Sequence, residues 1–248
     1  MTLPPSFLDR PIAHRGLHGP GVPENSLAAF QAAIDHGYGI ELDVQPSADG
    51  VAMSFHDDSL DRLTGRDGSI DAQSADDLAR TKLRGSEEAI PRLTDVLALV
   101  AGRVPLLIEI KDRDGAMGPD IGPLEDATLA ALNGYDGDVA VMSFNPHSVA
   151  HVAVNAPHLP RGLVTASFDA DHWPSLSDRT RAHLRQIPDL NRVRADFISH
   201  DARDLISPRV ALIKAQGLPV LTWTIRSAAK ETEARRVADN VTFEGYLP

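Results

Sequence analysis

The fold class predicted by this sequence is α/β, a (β/α)8 TIM barrel with a small excursion after the second strand. Three observations lead to it. Short aliphatic runs alternate with helix-period segments about eight times along 248 residues, the pattern of a parallel sheet built from β–α units. The length suits one barrel, so residues 1–248 are expected to form a single domain, with 57–90 as a small insertion. Ionisable residues stand where buried strands should end (His14, Glu41, Asp43, His56, Glu109, Lys111), and barrels carry their active groups at that rim. The rival, an open doubly wound sheet, usually has a Gly-rich phosphate turn after its first strand. Gly16, Gly19 and Gly21 do not match that pattern, and the chain has no G-x-x-x-x-G-K loop.

The elements follow in order. Pro11 to Ala13 predicts a short strand ending at His14, followed by a Gly/Pro loop from Gly16 to Pro23. Asn25 or Ser26 caps a helix from Leu27 to Asp35, with Leu27, Phe30, Ala33 and Ile34 on one face and Gly37 as its stop. Ile40 to Gln45 is the second strand, and the Asp49-Gly50 turn leads back along Val51 to Phe55 as a hairpin. The polar stretch 57–90 holds one candidate helix, Ser74 to Leu83. Leu93 to Val100 is a short helix, and Val104 to Lys111 is the clearest buried strand. Helices at Pro123 to Leu132, His147 to Asn155, Arg179 to Gln186, Pro208 to Gln216 and Ser227 to Ala238 then alternate with strands. Those strands are Val139 to Phe144, Gly162 to Ala166, Phe197 to Ser199, Pro219 to Ile225 and Val241 to Phe243.

The formal net charge of −11 argues against nucleic acid or an anionic membrane surface as the main partner, yet leaves room for a small anionic substrate held by local cations. With no cysteine there is no disulfide, no thiolate metal site and no Cys nucleophile. No run approaches the ~20 apolar residues of a membrane-spanning helix. The N-terminus has no basic start leading into an apolar stretch, so a cytoplasmic location is expected.

Glu41 and Asp43 are two apart on a strand, so their side chains share one face. Facing a barrel lumen, they repel unless a cation neutralises them or one takes a proton. Glu109, at the end of a neighbouring strand, adds a third carboxylate, and three such groups make a hard oxygen site suited to Mg²⁺ or Ca²⁺. For an isolated Glu-x-Asp the plainer alternative is a surface or salt-bridged pair; the third acid and the apolar surroundings favour the metal site. His14 and His56 have side chains that accept and donate protons near neutral pH, either as base and acid across a phosphorus or, in the plainer alternative, as satisfied capping groups. Arg15 and Lys111 suit phosphate oxygens and equally suit pairing with the acids beside them. Trp223 and Phe144 either stack on a substrate at the mouth or fill the barrel. His200-Asp201 follows the sixth strand, within reach of the mouth, with no specific role assigned to it.

Taken together, HRG at 14–16, PEN at 23–25, ELDV at 41–44 and HDDSLDRLTG at 56–65 resemble the signature of the glycerophosphodiester phosphodiesterases. IEIK at 108–111, SF at 143–144 and LTWTI at 221–225 are similar to that family's later barrel strands. The resemblance spans the chain and is densest in its first quarter. It implies a metal-dependent barrel hydrolysing small-molecule glycerophosphodiesters to glycerol 3-phosphate and an alcohol. It implies His14 and His56 as the acid/base pair, Glu41, Asp43 and Glu109 as ligands of one divalent cation, and Arg15 and Lys111 as phosphate contacts. It implies Trp223 and Phe144 at the glycerol end of the substrate, with Glu24 and Asn25 of the PEN motif on the substrate-binding side in support of the site. The final strand, VTFEGYLP, departs from the family's GIITD-like ending. Two other functions are compatible with such a barrel: a phospholipase D-like lyase acting on lysophospholipids, and a non-catalytic phosphate- or phosphosugar-binding protein.

Overall fold

In the computed structural model, which describes residues 2–248, nine strands form one sheet. They are β1 (Ile12–Ala13), β2 (Gly39–Pro46), β3 (Ala52–Ser54), β4 (Leu106–Ile110), β5 (Val139–Ser143), β6 (Arg161–Thr165), β7 (Phe197–Asp201), β8 (Val220–Ile225) and β9 (Asn240–Phe243). All but β3 are parallel to their neighbours, and β1 pairs with both β2 and β9, which closes the eight into a barrel. The expected fold is therefore the observed one. β3 folds back antiparallel on the end of β2 as the predicted hairpin, with Val44 opposite Ser54.

Two hydrophobic layers follow from the two-residue period of the strands. On β2 and β4, Ile40, Leu42, Val44, Leu106, Ile108 and Ile110 face outward and pack with Phe30, Ala33, Val96 and Val100 of the helices. The alternate residues face the lumen. Near the strand starts these are apolar (Ile12, Leu107, Ala140, Phe197, Leu221), and they form a separate inner cluster capped by Phe7. On β2 and β4 the inward residues towards the C-terminal rim are Glu41, Asp43 and Glu109, so on β4 the row changes from Leu107 to charge in one step, while β5, β6 and β8 stay apolar. The bottom of the barrel is stoppered by a helix not anticipated from the Pro-rich start, Ser6–Asp9, whose Phe7 is fully buried. Asn240 on β9 fastens it, its Nδ2 donating to the Phe7 and Arg10 carbonyls at 2.7 and 2.6 Å.

Gly162 on β6 shows how full the inner layer is. A Cβ there would lie 2.4 Å from the Phe197 ring, which has no room to move in the fully buried cluster. Gly162→Ala should cost about 1–3 kcal/mol by overpacking. Thermal denaturation would register this as a loss of several degrees, and an unchanged melting temperature would contradict the packing described.

Between β3 and the helix Leu93–Val100, residues 57–90 wrap a small core of their own made by Met53, Phe55, Leu60, Ile70, Leu78, Leu83 and Ile90. The single helix expected from Ser74 to Leu83 is one turn, Ala75–Leu78. The Thr81 hydroxyl donates to the Asp77 carbonyl, Leu83 N–H donates to Glu88 O at 2.8 Å, and the chain doubles back. That reversal brings both Leu83 and Ile90 into the cluster, which a continuous helix would not. The helix expected to run from Ser227 to Ala238 is Ala228–Ala234, capped by Ser227 through Lys230 N–H. Among the described residues, no helix is long and apolar enough to cross a membrane.

Candidate active site

The HRG turn after β1 places the first groups. Arg15 and Gly16 both adopt left-handed backbone, with φ of 56° and 79°. A side chain at Gly16 would also meet the backbone of Ala29 at 2.8 Å, so only glycine lets the turn lie against the helix Leu27–His36. The tight turn directs Arg15 N–H to Glu41 Oε2 at 2.9 Å. It also leaves the Arg15 side chain between Asp43, 3.3 Å away, and Glu24, at 2.6 Å.

Asn25, also left-handed at φ 55°, returns the loop to β2. Its Nδ2 donates to Asp43 Oδ2 at 2.9 Å and its Oδ1 accepts from the Asp43 N–H at 3.2 Å. One amide thus fixes both the backbone and the carboxylate of Asp43. Asp43 pairs in register with Glu109 on β4, and Lys111 bridges them at 2.8 and 2.6 Å.

Glu41, Asp43 and Glu109 are 2%, 1% and 7% exposed, and each offers one oxygen within 4.8 Å of the others. Their environments differ. Burial, reinforced by the charges of Asp43 and Glu109, pushes the Glu41 carboxyl well above its ordinary pKa. Burial acts the same way on Asp43, but Lys111, His56 and Arg15 outweigh it and hold that carboxylate far below the usual range. Lys111, buried between two carboxylates, is correspondingly raised.

Each histidine is backed by a carboxylate. His56 Nδ1 lies 2.7 Å from Asp57 Oδ1. Arg62, from the short helix Asp61–Thr64 in the excursion, forks onto both oxygens of Asp57 and both of Glu24. One guanidinium therefore ties the His56 support to the Arg15 support. On the other side, His14 Nδ1 lies 2.5 Å from Glu244 Oε2, just past β9. Burial lowers the pKa of His14 in spite of Glu244, so the neutral ring is favoured.

His14, Arg15, Glu41, Asp43, His56, Glu109, Lys111, Phe144 and Trp223 line one cavity at the C-terminal rim. Glu24 and Asn25 lie behind it, Glu24 on Arg15 and Arg62, Asn25 on Asp43. Trp223 packs against the inner cluster, its Nε1 donates to Ser199 O at 3.1 Å, and it also lines the cavity. Phe144 meets it edge-on, with ring centroids 5.5 Å apart. Trp173, which sequence reasoning passed over, completes an aromatic wall 4.9 Å from Phe144. His200 is buried, with its Nδ1 2.8 Å from Thr165 Oγ1 and its Nε2 3.3 Å from Asp204 Oδ2, and it does not line the cavity.

Asp57 and Arg62 sat inside the HDDSLDRLTG motif, where their carboxylate and fork could have been read as supports for His56. Glu244 carried no comparable signal.

A (β/α)8 barrel whose rim gathers two carboxylate-backed histidines, two cations and three buried acids belongs to the class of barrel enzymes. Comparison with known proteins narrows the class. Residues 14–241 match the model of the glycerophosphoryl diester phosphodiesterase family, and the chain belongs to that family. A glycerophosphodiester phosphodiesterase of Caldanaerobacter subterraneus subsp. tengcongensis is 34% identical over 172 residues, covering 65% of this chain and 69% of the relative. Bovine glycerophosphodiester phosphodiesterase 1 is 35% identical over 241 residues, covering 87% and 71%. The structure of an Oleispira antarctica phosphodiesterase in complex with its product, sn-glycerol-3-phosphate, superposes with a TM-score of 0.78 at 25% identity, covering 96% of this chain and 94% of that one.

Proposed function

We propose that this chain hydrolyses glycerophosphodiesters to glycerol 3-phosphate and an alcohol, using one divalent cation, Mg²⁺ or Ca²⁺, and His14 and His56 as base and acid. The observation that carries the reading is the convergence of both histidines, Arg15, Lys111 and the three buried acids on one cavity. Family membership and the product held by the Oleispira relative support the substrate class.

The acids fit a hard cation. All three donors are oxygens, and the upward push on Glu41 from burial and two like charges is a strain that a divalent charge would relieve. Glu41, Asp43 and Glu109 would hold the ion, whose charge offsets that of the non-bridging phosphate oxygens.

Arg15 and Lys111 act on the same oxygens from their anchorage on the acids. His14, kept neutral by burial, takes the proton of the nucleophile, either water or the substrate's own 2-hydroxyl; in the second case the cyclic phosphate first formed is opened by water in a further step to give glycerol 3-phosphate. The nucleophile's oxygen bonds to phosphorus as the bond to the leaving alkoxide breaks, and His56 supplies the proton to that alkoxide. Phe144 and Trp223 line the glycerol end, with Glu24 and Asn25 acting through Arg15 and Asp43. Residues 1–248 serve as one catalytic unit in this reading, the excursion lending Arg62 to the rim.

A coupled assay for glycerol 3-phosphate, run over a panel of glycerophosphodiesters with Mg²⁺, Ca²⁺ or Mn²⁺, tests the proposal. Product release from at least one diester is expected. Silence across the whole panel, with the protein folded, would sink the reading.

A further inference from the structure

The strand that departs from the family pattern supplies the least expected group at the site. Glu244 follows β9 immediately, and its N–H donates to Ile225 O at 2.9 Å, so its backbone is part of the barrel rim. Its Oε2 lies 2.5 Å from His14 Nδ1 and 3.7 Å from His18 Nε2, while its Oε1 accepts from Arg226 Nε at 2.7 Å. Glu244 itself does not line the cavity, whereas His14 does. The bond from His14 and the nearby His18 ring hold the carboxyl far below its ordinary pKa, so it is ionised.

We propose that Glu244 is a positioning residue for His14, fixing the imidazole so that Nδ1 is the donor and Nε2 is the nitrogen presented to the cavity. An ionised carboxylate has no proton to give, so the hydrogen at this contact must belong to Nδ1. A neutral ring with its hydrogen on Nδ1 leaves the lone pair on Nε2, the form required of a base. The carboxylate also sets the ring's rotation and stabilises the imidazolium that forms when Nε2 takes a proton, the division of labour seen in Ser-His-Asp enzymes.

Two histidines and a glutamate at this spacing also resemble a second cation site. Arg226 argues against it, since its guanidinium already neutralises the carboxylate from the other oxygen. The arrangement suits holding a ring better than holding an ion.

This inference rests on His14 being the base proposed above, and one set of variants separates the two. Glu244→Gln, Glu244→Ala, His14→Ala and the double variant His14→Ala/Glu244→Ala are compared by kcat and KM on the best glycerophosphodiester. Glu244→Ala should lower kcat about 10²-fold with little change in KM, and should add no further loss in the His14→Ala background. The isosteric Glu244→Gln should fall between the wild type and Glu244→Ala, because it keeps an acceptor and loses the charge. In proton NMR, the strongly downfield Nδ1–H signal expected for His14 should vanish in Glu244→Ala. If His14→Ala is inactive but Glu244→Ala keeps wild-type kcat, the positioning role is wrong and the base assignment stands. A loss from Glu244→Ala that multiplies fully onto His14→Ala would equally overturn it, by showing an effect independent of the ring. Near-normal turnover by His14→Ala would remove both ideas at once.

Discussion

His14→Ala and His56→Ala should each cut turnover by about 10²–10⁴-fold while leaving the barrel folded. Each proton transfer is worth about 10²–10⁴-fold, and an alkoxide leaving group makes the acid as necessary as the base. The fold should survive, because both rings are at the rim and neither belongs to a hydrophobic cluster; their bonds run to Glu244 and Asp57, each with a second cation in Arg226 or Arg62. Circular dichroism and melting temperature check that point separately. The two variants should then part company on an activated substrate. With a p-nitrophenyl leaving group, which departs as a stable phenolate, His56→Ala should recover much of its rate and His14→Ala should not. Near-normal rates on natural diesters for both variants would end the acid/base reading, and recovery by His14→Ala alone would reverse the two roles.

The second large effect concerns the carboxylates. EDTA should inactivate the protein reversibly, with activity returning on addition of Mg²⁺ or Ca²⁺. Full activity in excess chelator would remove the metal from the proposal. Glu41→Gln should have a divided outcome. In chelator its melting temperature should equal or exceed that of the wild type, because the substitution takes a charge out of a buried site that already holds Asp43 and Glu109. It should also lose the stabilisation that a bound ion gives, about 2.7 kcal/mol when the free ion is at 100 times its dissociation constant. For a chain of this size that amounts to several degrees. The variant would thus be sturdier when empty, indifferent to metal and inactive. A wild-type metal-induced shift in Glu41→Gln would show that Glu41 is not a ligand.

How much of this was legible in the sequence depended on how local each signal was. The barrel could be read because strands buried on both faces are near-continuous aliphatic runs, and Leu106 to Ile110 is such a run. The rim could be read because Glu41, Asp43 and Glu109 interrupt such runs at the point where a strand should end. Elements of a single turn were not legible: Ser6–Asp9 follows prolines that suggest an irregular start, and Leu190–Val193 is too short to show a period. The helix expected from Ser74 to Leu83 failed because tertiary burial of Leu83 and Ile90 overrode local propensity. Glu244 was hidden for a different reason. It lies 230 residues from its partner, in a strand whose divergence from the family pattern drew attention away from what the new residue could do. Trp173 was hidden likewise, since nothing in a loop's sequence says that it folds back over Phe144.

The closure of the barrel through β1 and β9 also has a consequence in time. His14 and its carboxylate partner Glu244 lie 230 residues apart, so their contact spans most of the chain. The strand before His14 has only β2 beside it until β9 is in place, and Glu244 follows β9 directly. Contacts this remote form late in folding because loop closure must come first. A chain in which β9 has not yet docked therefore carries both histidines and all three acids while His14 still lacks its partner. In the proposed reading, cleavage of phosphodiesters waits on the docking of β9, so closing the barrel and completing the site are one event.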